Sequence, residues 1–112
     1  MLPKENRLTK KKEIDAVFKD GKTGFASFLL LKFINNNLNY PRFAIIASNK
    51  VSKKAVVRNL LRRRIREILR KRLEKFLNID GIIVLNPKTK DAEFKDLEKE
   101  LDYIFKNAKI LK

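Results

Sequence analysis

Arginine is the residue type with the clearest chemical use in this chain of 112 residues. Residues 50–75 hold twelve lysines and arginines but only two acids, Glu67 and Glu74. At about 3.6 residues per helical turn, this segment presents one continuous stripe. We call it the arginine stripe: Asn59, Arg62, Arg63, Arg66 and Arg70. A guanidinium is a planar fork that binds phosphate oxygens in pairs and stacks on bases, whereas lysine would suffice for solubility. The stripe therefore predicts a nucleic-acid-binding surface.

The same charge pattern has two alternative explanations that involve no nucleic acid. Most charge runs are solvated helix faces, but that alternative predicts glutamates four residues from the arginines to offset their repulsion. Such acids are nearly absent from residues 50–75. A membrane-surface helix over residues 55–77 is a further alternative, but it would leave the remaining strands and helices without the core partner that their apolar patterns require.

The composition is that of a basic globular domain. A formal net charge of +15 and a pI near 10.3 favour a polyanionic partner. Apolar residues make up 44% of the chain and include eight phenylalanines, which is enough for a core, so a single domain over residues 1–112 is predicted. The absence of cysteine fits a reducing cytoplasm, and the first twenty residues lack the apolar run of a signal peptide.

Catalytic side chains are sparse. The chain has no histidine, the usual general base and zinc ligand, and no cysteine. Two-metal phosphoryl chemistry needs several converging carboxylates. The acids Glu13, Asp15 and Asp20 are the only cluster near the first helix, and their spacing does not put all three on one helical face. We therefore predict no catalytic and no metal-binding residue, which disfavours a stand-alone nuclease.

The apolar periodicities predict six elements. They are a helix from Thr9 to Gly21, strands over 25–33 and 42–47, a helix over 55–77, a strand over 81–85 and a helix from Asp91. The asparagine-rich turn between the first two strands predicts a hairpin. In the long helix, the apolar residues lie opposite the stripe: Val57, Leu61, Ile65, Ile68 and Phe76. The order αββαβα predicts an α+β two-layer fold with a βαβ crossover, for which the generic expectation is right-handed.

The segment before the arginine stripe carries a family resemblance. The run Ala55-Val56-Val57-Arg58-Asn59, followed by spaced arginines and the pair Arg66-Glu67, resembles the protein component of bacterial ribonuclease P. The opening Asn6-Arg7-Leu8 and the helix end Phe18-Lys19-Asp20-Gly21 are also similar. The resemblance extends over essentially the whole chain.

The resemblance implies a fold and a function. The fold would be like the second domain of ribosomal protein S5, with a left-handed βαβ crossover in place of the generic right-handed one. The chain would be the non-catalytic protein subunit of an endoribonuclease that removes the 5′ leader of precursor tRNA. Catalysis would belong to the RNA subunit and its Mg²⁺ ions, with one protein per RNA. A ribosomal or other structural RNA-binding protein without a processing role is the alternative.

The family also implies two sets of binding residues. Contacts to the RNA subunit are expected from the residues before the long helix and from its stripe: Lys50, Lys53, Lys54, Arg58, Asn59, Arg62, Arg63, Arg66 and Arg70. Two alternatives stay open here, since Asn59 could tie the connector to the helix and Arg66 could sit in a structural ion pair. Arg64 and Arg72 fall off the stripe and extend to solvent.

The leader of precursor tRNA would bind in a cleft between the first helix and the sheet. The expected residues are Arg7, Lys10, Lys11, Phe18 and Phe33, with Lys12 as a further rim residue. Ile14 and Leu31 stand where aromatics are common in the family, so Phe18 is the main candidate for stacking on a base. The alternative for Phe18, four residues after Ile14, is a place in the core.

Overall fold

A four-stranded mixed sheet is the centre of the computed structural model, which describes residues 2–112. Its strands are β1 (Lys22–Phe25), β2 (Leu29–Asn35), β3 (Arg42–Ile46) and β4 (Ile79–Leu85). Their spatial order is β1-β2-β4-β3. β1 pairs antiparallel with β2, β2 pairs antiparallel with β4, and β3 runs parallel to β4. The predicted α+β class is confirmed.

Three helices accompany the sheet. They are α1 (Lys11–Asp20), α2 (Ala55–Lys71) and α3 (Phe94–Ala108), with short 3₁₀ turns at Lys4–Asn6, Leu73–Lys75 and Pro87–Asp91. The helix predicted over residues 55–77 thus ends at Lys71, where a 3₁₀ turn follows. The helix predicted to begin at Thr9 has Lys10 as its N-cap, without a side-chain capping bond. None of the helices in residues 2–112 combines the length and apolar character that a membrane span requires.

Two predictions about the strands were wrong. The strand expected over residues 25–33 is divided into β1 and β2 by a tight turn, in which the Ala26 amide donates to the Leu29 carbonyl at 2.9 Å. This pair forms the hairpin. β2 and β3 do not pair, because β4 lies between them. Periodicity identifies a strand but carries no information about which strand it pairs with. β4 is buried along nearly its whole length, as expected of a strand in the centre of a sheet.

The β3–α2–β4 connection joins neighbouring parallel strands, as the crossover prediction requires. The left-handed sense of this crossover, which the resemblance implies, stays a prediction.

The main core lies between the sheet and the helices α2 and α3. Alternate residues of β2 and β4, including Leu31 and Ile83, point into it. Phe76 packs between two other rings, tilted against Phe43 at a centroid distance of 4.8 Å and edge-to-face with Phe105 at 4.9 Å. Such aromatic pairs add to the hydrophobic gain of burial. This side of the sheet forms the predicted two layers.

Helix α1 covers part of the opposite sheet face. Val17, Leu8 and Ile82 form a second buried cluster there. A polar network anchors the N-terminal half of α1, because the Arg42 guanidinium bonds both Asp80 (2.9 and 2.6 Å) and Glu13 of α1 (2.9 Å). The Asp80 side chain is only 9% exposed, so its charge requires this partner. The two carboxylates, Asp80 first, raise the pKa of Arg42 despite its partial burial.

Gly21 directly follows α1 and lies where the backbone of the helix end comes close to the backbone of β2. A Cβ at this position would lie 2.4 Å from the Val17 carbonyl oxygen and 2.9 Å from that of Phe33. Both are backbone atoms that cannot move independently, so Gly21→Ala should lower the free energy of unfolding by about 1–3 kcal/mol. The measurement is urea denaturation.

The matched control for that prediction is Gly24→Ala. Its Cβ would meet only a side chain and no backbone atom, since the nearest atom is Ile104 Cγ1 at 3.3 Å. We expect a change within about 1 kcal/mol, since the cost of this contact is offset by the reduced entropy of the unfolded chain. Equal losses in the two variants would show that the backbone approach at Gly21 is not the constraint.

Candidate nucleic-acid interface

The arginine stripe lies on the solvent side of α2. Leu61, Ile65, Ile68 and Leu69 are buried on the opposite side of the helix. Three of these four were predicted, and Leu69 extends the same apolar face. Phe76 is buried too, but it lies beyond the end of the helix. Because the apolar side fixes the rotation of α2 about its axis, the stripe faces away from the core.

Within residues 2–112, most arginines of the stripe have no carboxylate partner. Arg70 is the exception, since its Nη2 donates to the Glu67 carboxylate at 2.5 Å. The hydrogen bond from Arg70 is the largest cause that lowers the pKa of Glu67, to about 2. Within residues 2–112, no carboxylate pairs with Arg62, Arg63 or Arg66. The positive charge of these three guanidiniums therefore remains available to an anion.

The sequence left two roles open for Asn59: a contact with RNA, or a hydrogen bond that ties the connector to the helix. The Asn59 side chain is exposed and accepts a hydrogen bond from Arg62 Nη2, so it does not tie the connector to the helix. Arg58 does so instead, since its Nη1 donates to the Ser52 carbonyl at 2.8 Å. One donor of Arg58 is thus engaged internally, and the rest of its fork stays available.

The connector, residues 48–54, brings further positive charge to the start of α2. Lys50, Lys53 and Lys54 are all exposed. The first turn of α2 contains no acid, and its N-cap, Lys54, has no side-chain capping bond. The unpaired N–H groups of a helix N-terminus favour anions, so the lysines and the helix end add to the same positive region. A groove lined by the exposed Val56, the half-buried Leu60 and part of the arginine stripe runs along α2 beside it.

The charge of Arg7 acts on Arg66 of α2, which the sequence did not predict. Burial, followed by the charges of Arg7 and Arg62, lowers the pKa of Arg66. Arg7 precedes Leu8, which packs under α1, and residue 7 has extended backbone angles. Successive side chains of an extended segment point to opposite faces, so Arg7 lies on the α2 side of the sheet. The structure thus places Arg7 on the sheet face opposite to α1, and its predicted contact with the leader stays a prediction.

Part of the sheet face beside α1 carries partly exposed apolar residues. The helix covers only one end of its sheet face, and the other end shows three half-buried apolar residues, Leu30, Ile46 and Val84. Phe18, at the C-terminal end of α1, is 39% exposed and so is not a core residue. Lys32 lies beside it, with Nζ 3.4 Å from the Phe18 carbonyl oxygen. We call this surface the α1 cleft. It offers an apolar floor, one aromatic ring and a positive charge.

Phe33 lies on the sheet face opposite to the α1 cleft, and its predicted contact with the leader stays a prediction. It shares the face of Leu31 and packs against the main core, whereas its neighbour Lys32 points to α1. Phe25 is the alternative aromatic. It pairs directly with Leu30, which places it on the cleft side of the sheet, and it is 72% exposed at the edge, where it also borders a groove between β1 and α3.

The remaining predicted cleft residues are consistent in position. Lys10, Lys11 and Lys12 are exposed at the start of α1. Lys32 and the apolar floor were missed, although the alternation of strand residues would have indicated them once the face of β2 was known. Glu13 is engaged by Arg42. Within residues 2–112, no three acidic, histidine or cysteine side chains are grouped as a metal site would require.

Comparisons with known proteins agree along nearly the whole chain. The family model described as Ribonuclease P matches residues 2–109. The ribonuclease P protein component of Fusobacterium nucleatum is 40% identical over 111 residues, covering 95% of this chain and 99% of that protein. That of Pseudanabaena sp. is 31% identical, covering 99% of this chain and 97% of that protein.

Solved structures show the same fold. The RNase P protein of Staphylococcus aureus superposes with a TM-score of 0.89 at 25% identity, covering 96% of this chain and 98% of that one. The RNase P protein of Thermotoga maritima gives a TM-score of 0.82 at 25% identity, covering 90% and 96%.

The Glu67–Arg70 pair gives a prediction that involves no RNA. The Glu67 carboxyl should titrate near pH 2 in the folded chain, against about 4.3 when unfolded. The stability from this pair is therefore fully present above about pH 4.3 and is lost as the pH falls towards 2.

In Arg70→Ala, the pKa of Glu67 should rise towards its ordinary range, as measured by NMR of the side-chain carboxyl carbon. Arg64→Ala, which removes an arginine that no carboxylate of residues 2–112 binds, should leave the pKa of Glu67 unchanged. A Glu67 pKa that stays near 2 without Arg70 would contradict the assignment.

Proposed function

The chain belongs to the family of bacterial ribonuclease P protein components, and from this premise we propose that it binds the catalytic RNA subunit through α2 and the precursor-tRNA leader through the α1 cleft. The alternative of a ribosomal or other structural RNA-binding protein is not supported by these relatives.

The observation that carries the first half of the proposal is the unpaired charge on α2. Arg62, Arg63 and Arg66 stand on one helix face next to the lysines of the connector, and no carboxylate in the described part of the chain pairs with them. Such a surface binds a phosphate backbone and releases its condensed counterions. Phosphate contacts of this kind fix the orientation of the protein on folded RNA without reading its sequence. Arg70 contributes less, because Glu67 neutralises it.

The second half of the proposal concerns the leader. A single-stranded nucleic acid requires an apolar or aromatic floor for its bases and positive charge for its phosphates. The α1 cleft supplies the first through Leu30, Ile46, Val84 and the ring of Phe18, and the second through Lys32. Lys10 and Lys11 extend the positive rim from α1. A leader strand lying here would contact the sheet on the face opposite to the main core.

We assign the bond-breaking step to the RNA subunit. The chain contains no histidine or cysteine, and Glu13 already forms an ion pair with Arg42. The acids in residues 2–112 do not fit a Mg²⁺ site, so the Mg²⁺ ions would be held mainly by the RNA. The role of this chain is then affinity and substrate discrimination, with one protein per RNA, in the cytoplasm.

The experiment that tests the proposal removes the unpaired charge. The triple variant Arg62→Ala, Arg63→Ala, Arg66→Ala should bind the RNA subunit at least about tenfold more weakly. The slope of log K against log salt should fall by about three, since each phosphate contact contributes about one. At low Mg²⁺, wild-type protein should restore cleavage of precursor tRNA by the RNA subunit, and the triple variant should require a higher protein concentration.

The control is a triple variant on α3 that removes the same net charge. Lys95, Lys99 and Lys106 are exposed on this helix and would be replaced by alanine. If both triple variants lose affinity equally, general charge rather than the stripe drives binding, and the proposal fails. Cleavage by the protein alone would revive the stand-alone nuclease.

The α1 cleft has its own test. Phe18→Ala should reduce the preference of the holoenzyme for a precursor with a leader of several nucleotides over one with a single-nucleotide leader. The expected loss is about 5- to 150-fold, corresponding to one stacked base at about 1–3 kcal/mol. The measurement is the binding affinity of the two precursors for the holoenzyme.

Tyr103→Ala is the matched aromatic control. Tyr103 is 61% exposed on α3, which covers the other side of the sheet. It should leave the leader preference unchanged. A preference that survives Phe18→Ala would remove the ring of Phe18 from the leader site.

A further inference from the structure

Two aliphatic residues interrupt the polar side of α2. Val56, in the first turn, is 73% exposed, and Leu60, one turn further along the helix, is half-buried. At about 100° per residue, Val56 lies directly opposite the buried Ile65 around the helix axis. This direction on an amphipathic helix is ordinarily occupied by polar residues, because it faces water. We call Val56 and Leu60 the aliphatic pair.

The aliphatic pair shares its groove with hydrogen-bond donors. Asn59, Arg62, Arg63 and Arg66 also line this groove on the solvent side of α2. The Asn59 side chain accepts a hydrogen bond from Arg62 through its carbonyl oxygen, and its NH₂ group makes no hydrogen bond within residues 2–112. The groove therefore presents an apolar surface, amide donors and guanidinium forks along about three turns of one helix.

The mixed chemistry of the groove fits an unstacked nucleotide better than a regular duplex. Double-stranded RNA presents phosphates and 2′-hydroxyls, for which the arginines alone would suffice. A base in a loop or a bulge exposes a flat face and a polar edge instead. The aliphatic pair matches the face, and the NH₂ group of Asn59 matches an acceptor on the edge. The neighbouring guanidiniums can bind the flanking phosphates.

A second copy of this chain fits the groove poorly. The net charge is +15 and the groove includes part of the arginine stripe, so two copies joined here would bring like charges together. Single exposed apolar residues are common on protein surfaces and need no partner. The aliphatic pair differs from that case, because both residues lie in one groove that is continuous with the surface proposed to bind RNA.

We infer that the aliphatic pair binds one unstacked base of the RNA subunit, with Asn59 at the edge of that base and the arginine stripe on the flanking phosphates. The inference rests on the proposed function and deepens it, because phosphate contacts alone orient a protein without reading bases. α2 would then recognise a place in the folded RNA where a base has left its stack.

The test measures affinity and its salt dependence in the double variant Val56→Ala, Leu60→Ala. Binding to the RNA subunit transcribed from the same genome should weaken about 5- to 30-fold, because the methyl groups that cover the base are lost. The slope of log K against log salt should stay within about 0.5 of wild type, since an aliphatic contact releases no counterion. The triple stripe variant, in contrast, should lower that slope by about three.

Chemical probing of the complex identifies the base. Dimethyl sulfate and a carbodiimide modify unpaired bases of the RNA subunit, and bound wild-type protein should protect at least one of them. At protein concentrations that saturate the RNA, this base should regain its reactivity in the complex with the double variant. Asn59→Ala should also raise its reactivity, because the edge of the base loses its partner.

Controls separate the contact from folding and from general apolar character. Leu60→Met keeps an apolar side chain of similar volume and should bind RNA within about twofold of wild type. Leu77→Ala removes an apolar side chain that is 41% exposed outside α2, and should leave RNA affinity unchanged. Val56→Ala alone should keep wild-type stability in urea, since alanine favours helix, and should still weaken RNA binding about two- to tenfold.

Three results would overturn the inference. They are wild-type RNA affinity in the double variant, a loss of affinity accompanied by a lower salt slope, and base protection that does not depend on the aliphatic pair. A protein oligomer that dissociates in the double variant, with RNA affinity unchanged, would assign the pair to a second copy of the chain instead. If the triple stripe variant also binds RNA normally, the proposed function fails as well. If only the aliphatic variants bind normally, the proposed function stands.

Discussion

The contact of α2 with the sheet is the constraint on which the rest of the structure depends. Leu61, Ile65, Ile68 and Leu69 are fully buried there, and each such side chain contributes about 1.5–3 kcal/mol relative to an exposed one. A rotation of the helix that exposed them would also bury an arginine without a partner, at a further cost of several kcal/mol. The apolar side therefore determines, with little freedom, where the guanidiniums of the opposite side point.

The distribution of acids reinforces that orientation. Asp80 and Glu13 bond Arg42, and Glu98 and Asp102 bond Arg72, so carboxylates meet the arginines that join one element to another. Arg72 links the end of α2 to α3 in this way. The central part of α2 receives no such partner. A chain with 28 lysines and arginines but 13 acids cannot neutralise every basic side chain, and the fold leaves three neighbouring arginines of α2 without a carboxylate partner within residues 2–112.

The sequence predicted the features that depend on local periodicity and missed those that depend on pairing. The helical period identified α2, its buried residues and its stripe, because both sides of one helix repeat along the chain. Strand neighbours are set by contacts distant in sequence, so the hairpin was assigned to β2 and β3 and Phe33 to the wrong face. Arg7 was misplaced for a related reason. The sheet face on which the Arg7 side chain lies depends on the pairing of residue 7 with Phe43. No local sequence pattern predicts that pairing.

The order of the chain connects the two proposed surfaces directly. Ile46, on the floor of the α1 cleft, is the last residue of β3, and the connector that follows it leads into α2. Arg58 bonds Ser52 within that connector, and the buried Val51 anchors it in the core. A short, anchored connection leaves little freedom between the cleft and the stripe. RNA held by the stripe would therefore fix the direction from which a leader strand enters the cleft, and geometry rather than sequence readout would then select a precursor tRNA.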